Sequence, residues 1–294
     1  MRTEEQMIEL LLSVAEKDER IRAVLLNGSR ANPNVEKDEY QDFDVVYWVD
    51  ELNSYRDDGS WIDVFGERII LQMPNSMEIG EANAKIKEKR IVYLMLFKDL
   101  NRIDLTLVDT KDRDSCRDSL QKVLMDKDQL FAETPTPSEK DHWVKKPNQK
   151  AFSDCCNEFW WVSTYVMKGV ARKEALYAKE MLENPIRKMF LQLLAWQVGS
   201  TTDFSVNVGA HNRFLQKYVS PEMWTKVLKT YPDADIKNIW WSLGEMMKLF
   251  HELALELANR LELNYHVTEA ENVMAYMGEM ENRIKDTSSL KKAI

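Results

Sequence analysis

A chain of 294 residues with 44% hydrophobic content can build two cores or one large one. Its formal net charge of −9 disfavours a nucleic-acid partner, because phosphate backbones are gripped by basic surfaces. No apolar run approaches 18 residues, so no transmembrane helix and no membrane partner are expected.

Thr3-Glu4-Glu5-Gln6 has the form of a capping box and predicts a helix start. Met7, Leu10, Leu11 and Val14 supply its apolar stripe. Ile21 to Leu26 predicts a strand running into Gly28-Ser29, and Ala31 to Asn34 predicts a loop. Phe43 to Val49 predicts a second strand, opened by Asp42 and Asp44. Strand side chains alternate, so these two carboxylates share a face. They repel each other unless a cation lies between them, and hard divalent ions such as Mg²⁺ suit oxygen donors. Gly28 lets a phosphate approach the backbone, and Ser29 with the adjacent N–H groups could hold it.

Ser60-Trp61-Ile62-Asp63 reads as a cap and a short helix, and Arg68 to Met73 as a strand stopped by Pro74. Asn75 to Lys89 is a polar excursion suited to covering a site. Arg90–Phe97 and Arg102–Val108 are two apolar runs joined as a hairpin. Asp104 sits among apolar neighbours, where an unpaired charge is costly. If its strand lies beside Phe43–Val49, Asp104 joins Asp42 and Asp44 around the metal. Asp112 to Val123 predicts a helix, and the Thr134–Pro137 stretch punctuates the chain.

From Phe152 onward the periodicity is helical. The expected helices are Phe152–Gly169, Lys173–Leu182, Pro185–Gly199, Asn212–Val219, Pro221–Tyr231, Ile236–Leu261 and Thr268–Lys285. Ser220-Pro221 gives a cap with proline in the first turn. The fold class is therefore α+β: an N-terminal domain over residues 1–133, with a mixed sheet flanked by helices, then an α-helical bundle over 134–294.

Gly-Ser, a spacer, Asp-x-Asp and a later Asp between apolar residues resemble the polymerase-β-like nucleotidyltransferases. Ile21–Arg30, Gln41–Val49, Phe65–Arg68, Arg102–Val108, Leu124–Asp128 and Phe152–Gly169 narrow the match. Together they resemble the aminoglycoside 6-adenylyltransferases, which modify streptomycin. The resemblance runs through almost the whole chain and is strongest up to residue 170. It implies transfer of AMP from ATP to a streptomycin hydroxyl at position 6, with release of pyrophosphate, conferring resistance. It implies ATP as co-substrate and two Mg²⁺ ions held by Asp42, Asp44 and Asp104, and a monomer is expected. Gly28, Ser29 and Arg30 would hold the β- and γ-phosphates. Lys168 ends the aromatic-rich helix that the resemblance sets beside the cleft, and is a candidate for the phosphates as well.

Other candidates carry plain alternatives. Lys145 and Lys146 read as solvated lysines. Asp154 and Glu158, four apart, share a helix face and either take cationic substrate groups or form an exposed acidic stripe. Asp104, or alternatively Glu158, would accept the hydroxyl proton. Trp160, Trp161, Trp196, Trp240 and Trp241 lie at helical spacing and read as core. His251-Glu252 begins like a zinc protease motif but lacks the second His. Cys116, Cys155 and Cys156 have neither zinc nor disulfide spacing and fit reduced thiols in the cytoplasm. Met1 to Glu5 lacks the basic and apolar regions of a signal peptide. Two other readings stay open: the same chemistry on another aminoglycoside, a lincosamide or a protein hydroxyl, and a nucleotide-binding protein without catalysis.

Overall fold

Thr3 closes its capping box from both sides, its hydroxyl accepting from the Gln6 N–H and its own N–H donating to Gln6 Oε1. The helix that follows, α1 (Glu4–Lys17), buries Met7, Leu11, Val14 and Ala15 against a sheet. The structure, a computed structural model, describes residues 1–79, 89–112, 118–131 and 136–290, and of residues 57 and 284–290 the backbone alone. The chain divides into two compact units, Met1–Asp141 and His142–Ile294.

The first unit is a six-stranded mixed sheet. Its strands are β1 (Ile21–Asn27), β2 (Phe43–Val49), β3 (Arg68–Gln72), β4 (Arg90–Phe97), β5 (Arg102–Asp109) and β6 (Gln121–Asp126). Their spatial order is β3-β4-β5-β2-β1-β6, with β2 and β5 parallel and every other pair antiparallel. Beside β5, the β2 register sets Asp44 directly opposite Asp104. β2 is buried almost throughout, as a central strand covered on both faces must be. Tyr47 of β2 donates its hydroxyl to the Leu11 carbonyl at 2.7 Å and so ties α1 to the sheet centre.

The β4–β5 turn is fixed from outside. Arg2 donates to the Asp99 carboxylate, with Nε at 2.6 Å, and to the Phe65 carbonyl at 2.7 Å. Burial alone would raise the Asp99 carboxyl, yet bonds from Arg2 and Asn101 hold it well below the usual carboxylate range.

The second unit is helical: α2 (Gln149–Arg172), α3 (Ala175–Met181), α4 (Arg187–Thr201), α5 (Pro221–Lys229), α6 (Ile236–Leu261) and α7 (Val267–Leu290). Phe159 of α2 stacks on Phe250 of α6 at 3.7 Å, nearly parallel, in the centre of the bundle. Arg187 is 5% exposed. Its charge is met by Glu183 at 3.0 Å, by the Thr230 hydroxyl and carbonyl at 2.5 Å, and by the Tyr231 ring at 3.7 Å. No helix among the described residues is long and apolar enough to cross a membrane.

Several expected elements differ. Residues 113–117 of the expected 112–123 helix lie outside the described residues. Gln121 to Val123 belong to β6, where pairing with β1 overrides local propensity. The expected Asn212–Val219 helix is two short 3₁₀ turns, Ala210–Asn212 and Leu215–Tyr218. Ser60 precedes a 3₁₀ turn, Trp61–Phe65, and makes no side-chain cap bond. Pro185, expected to open a helix, lies inside a π turn, Leu182–Ile186, joining α3 to α4. The wider turn accommodates a residue with no N–H to give. Most of the 75–89 excursion, residues 80–88, lies outside the described residues, as do Cys116 and Thr134-Pro135.

Candidate active site

β1 ends at Asn27, and one helical turn, Gly28–Ala31, follows at once. Gly28 has φ +67°, which a side chain would strain. A Cβ there would also lie 2.3 Å from Asp44 Oδ2. The glycine is therefore what lets the loop after β1 lie against the β2 carboxylate. Beside it, Asn27 Oδ1 is buried without a hydrogen-bond partner.

Arg30 follows in the same turn and its side chain is only 8% exposed. Its guanidinium donates to the carbonyls of Asp42 at 3.1 Å and Gln41 at 2.7 Å, approaches Glu4 at 3.3 Å, and covers the Phe43 ring at 3.9 Å. The side chain expected at the phosphates is spent on the backbone that presents Asp42. Further along the loop, Asn32 and Asn34 both donate to Glu139, at 2.7 and 2.9 Å.

Two of the three acids, Asp42 just before β2 and Asp104 within β5, meet one cation. Arg102 makes two 2.7 Å bonds to the two oxygens of Asp104 and lies 3.5 Å from Asp42 Oδ2. Asp44 adds its charge to the same guanidinium. Burial raises the Asp42 carboxyl, Arg102 opposes that, and Asp104 adds to the rise. Asp42 and Asp104 therefore already feel each other's charge. Among the described residues no three His, Cys, Asp or Glu side chains are arranged to hold a metal ion as they stand. The donor chemistry fits a hard cation nonetheless: Asp104 and Asp42 already meet a positive charge that a guanidinium supplies, and Asp44 stands opposite Asp104. Arg102 was missing from the sequence reading, although strand periodicity places it, two residues before Asp104, on the same face. Next to it a cavity of about 370 Å³ is lined by Tyr40, Gln41, Asp42, Leu96, Leu100 and Arg102, among others. Both amide atoms of Gln41 are buried without a partner.

In the helical unit, Asp154, Glu158, Trp161 and Lys168 share the exposed face of α2. Asp154 pairs with Lys150 at 2.6 Å. Glu158 makes no ion pair among the described residues. Lys168 lies 5.4 Å from the Tyr165 ring centre. Lys145 and Lys146 are exposed. Trp160 and Trp196 are buried as expected, but Trp161 is 60% and Trp241 52% exposed. Each falls on the outer face of its helix. Trp161 is held there by its Nε1 donating to the Tyr165 hydroxyl at 2.8 Å. Burial pushes the Cys155 thiol up to about 12, which suits an inert core thiol.

Residues 1–280 match the streptomycin adenylyltransferase family. The chain is 40% identical to an aminoglycoside 6-adenylyltransferase of Campylobacter jejuni, over 90% of this chain and 91% of the relative. It is 37% identical to the aminoglycoside 6-adenylyltransferase of Bacillus subtilis, over 90% and 93%. A relative of the same description from Staphylococcus aureus is 34% identical over 85% and 89%. A crystal structure of the Bacillus subtilis aminoglycoside 6-adenyltransferase aligns with a TM-score of 0.47 at 32% identity, covering 96% of this chain and 99% of that one.

Proposed function

The chain belongs to the streptomycin adenylyltransferase family, and we propose that it transfers AMP from ATP to the 6-hydroxyl of streptomycin with release of pyrophosphate. The observation that carries the reading is Arg102 bound to Asp104 and 3.5 Å from Asp42, with Asp44 opposite Asp104 and against Gly28. Mg²⁺ held by these three acids would polarise the α-phosphate and offset the charge of the departing pyrophosphate.

This chain's own residues supply the rest. Gly28 and Ser29 offer backbone N–H groups and a hydroxyl to the outer phosphates. Arg30 keeps the Gln41–Asp42 backbone in place, so that Asp42 does not swing with its loop. The acceptor hydroxyl attacks the α-phosphorus as the bond to the β-phosphate oxygen breaks. Its proton passes to a carboxylate, Asp104 or Glu158. In the bridged state both Asp104 oxygens accept from Arg102.

For the acceptor, the exposed face of α2 suits a guanidinium-bearing sugar. Glu158 and Asp154 offer charge, and Trp161 with Tyr165 offers aromatic surface on which a guanidinium plane can lie. Replacing Glu158 by Gln separates the two roles. If Glu158 binds only, the acceptor KM rises roughly tenfold to a hundredfold and kcat holds. If it is the base, kcat falls by on the order of 10²–10⁴.

The deciding experiment is mass spectrometry of streptomycin incubated with protein, ATP and Mg²⁺. A mass gain of one AMP on streptomycin is expected, with Asp42→Asn and Asp44→Asn inactive. No adduct, with adducts on other hydroxyl acceptors, would move the substrate assignment. Activity of either variant within about tenfold of the parent would remove these acids from the metal site.

A further inference from the structure

We propose that Arg102 is a built-in cation that bridges Asp42 and Asp104 before metal arrives, and that a divalent ion must displace it. The inference rests on the reading of Asp42, Asp44 and Asp104 as metal ligands. It adds a positioning residue that strand geometry places among them.

Three contacts carry it. The guanidinium meets both oxygens of Asp104 at 2.7 Å, a bidentate arrangement, and the same group lies 3.5 Å from Asp42. Each Asp104 oxygen keeps a second lone pair, but a guanidinium held across both of them repels an incoming cation, so the bridge and the ion compete. The bridge is also able to open. The Arg102 side chain is 43% exposed, and its charge can pass into solvent without burial. Arg30 provides the contrast: 8% exposed and fastened to two carbonyls, it cannot leave without breaking the loop. Without Arg102, three carboxylates on neighbouring strands would repel each other in the unloaded enzyme. With it they stay gathered, at the expense of metal affinity. A ligand that binds only the unbridged state loses apparent affinity in proportion to the unbridged fraction. A bridge populated about two-thirds to nine-tenths of the time weakens metal binding about threefold to tenfold.

The test is a Mn²⁺ titration of the whole chain, without nucleotide, with free Mn²⁺ read by electron paramagnetic resonance. Parent, R102Q, R102K and D44N are compared. Lysine keeps the charge but cannot span two carboxylates with a planar fork. R102Q and R102K should both bind Mn²⁺ about threefold to tenfold more tightly than the parent. The melting temperature of R102Q should fall without metal and gain more than the parent's when Mn²⁺ is added. If both Arg102 variants bind with parental or weaker affinity, the displacement model is wrong. Tighter binding by R102Q with parental binding by R102K would reduce Arg102 to a background charge and likewise overturn the bridge. Parental Mn²⁺ affinity in D44N would instead show that the acids are not the metal site, removing the underlying reading. R102K keeps the test open if R102Q does not fold.

Discussion

Gly28 stands where any side chain would strike Asp44, and its backbone is in the left-handed region. Gly28→Ala must therefore shift Asp44 as well as strain the turn. The strain alone costs about 1–2 kcal/mol and lowers the melting temperature by a few degrees. The catalytic cost should be larger. A misplacement of about 1 Å in a reacting constellation can lower turnover on the order of a hundredfold. We expect kcat to fall by at least about tenfold while most of the protein stays folded at assay temperature. Near-parental kcat in the folded fraction would show that Asp44 need not sit against the loop. The pairing that brings Asp104 beside Asp44 was legible in the sequence from strand pattern, whereas the close approach of Gly28 to Asp44 was not. By strand alternation Arg102, two residues before Asp104, falls on the same face. The work done by Arg30 was not legible. Its partners are carbonyls of Gln41 and Asp42, and only the path of the loop brings them within reach. The unsatisfied atoms of Asn27 and Gln41 were hidden for the same reason.

The β4–β5 hairpin turn shows how one element depends on a charge from another. Asp99 accepts from Arg2 and Asn101, and these bonds hold its carboxyl below the usual range against the cost of burial. A folded-state pKa below the unfolded value contributes stability above the unfolded pKa of about 4. That contribution is lost as pH falls from about 4 toward the folded pKa. Asp99→Asn should therefore destabilise the protein by roughly 1–3 kcal/mol at pH 7, and the difference from the parent should shrink steadily below pH 4. Thermal melts of both proteins across that range decide it, and a difference independent of pH would exclude the charge. Elements with strong local signals were read correctly, including the capped α1 and the long α6, whose bounds match the expected Ile236–Leu261. Those that failed depend on distant partners. Gln121 to Val123 become strand because β1 has an open edge, and Pro185 is carried through a π turn between two packed helices.

At the scale of the molecule, a formal charge of −9 sets a field that a polycationic acceptor would feel before contact. Streptomycin and ATP carry charges of opposite sign, so they should respond to salt in opposite directions. Raising the ionic strength from about 0.02 to 0.3 M shortens the Debye length from roughly 20 to 6 Å and removes most long-range attraction. For streptomycin, the acceptor proposed above, kcat/KM should then fall severalfold, mainly through KM, while kcat at saturating acceptor changes little. With acceptor saturating and Mg²⁺ in fixed excess, kcat/KM for ATP should stay level or rise, because repulsion from the acidic surface is screened. The paired measurement matters, since salt that merely loosened the fold would lower both values together. Equal losses for the two substrates would thus point to a general salt effect and leave the acidic surface without a part in recruiting the acceptor. A streptomycin-specific loss that persisted in Glu158→Gln would assign the attraction to the whole surface. A loss that vanished in that variant would assign it to the exposed face of α2, where Glu158 stands without an ion-pair partner among the described residues.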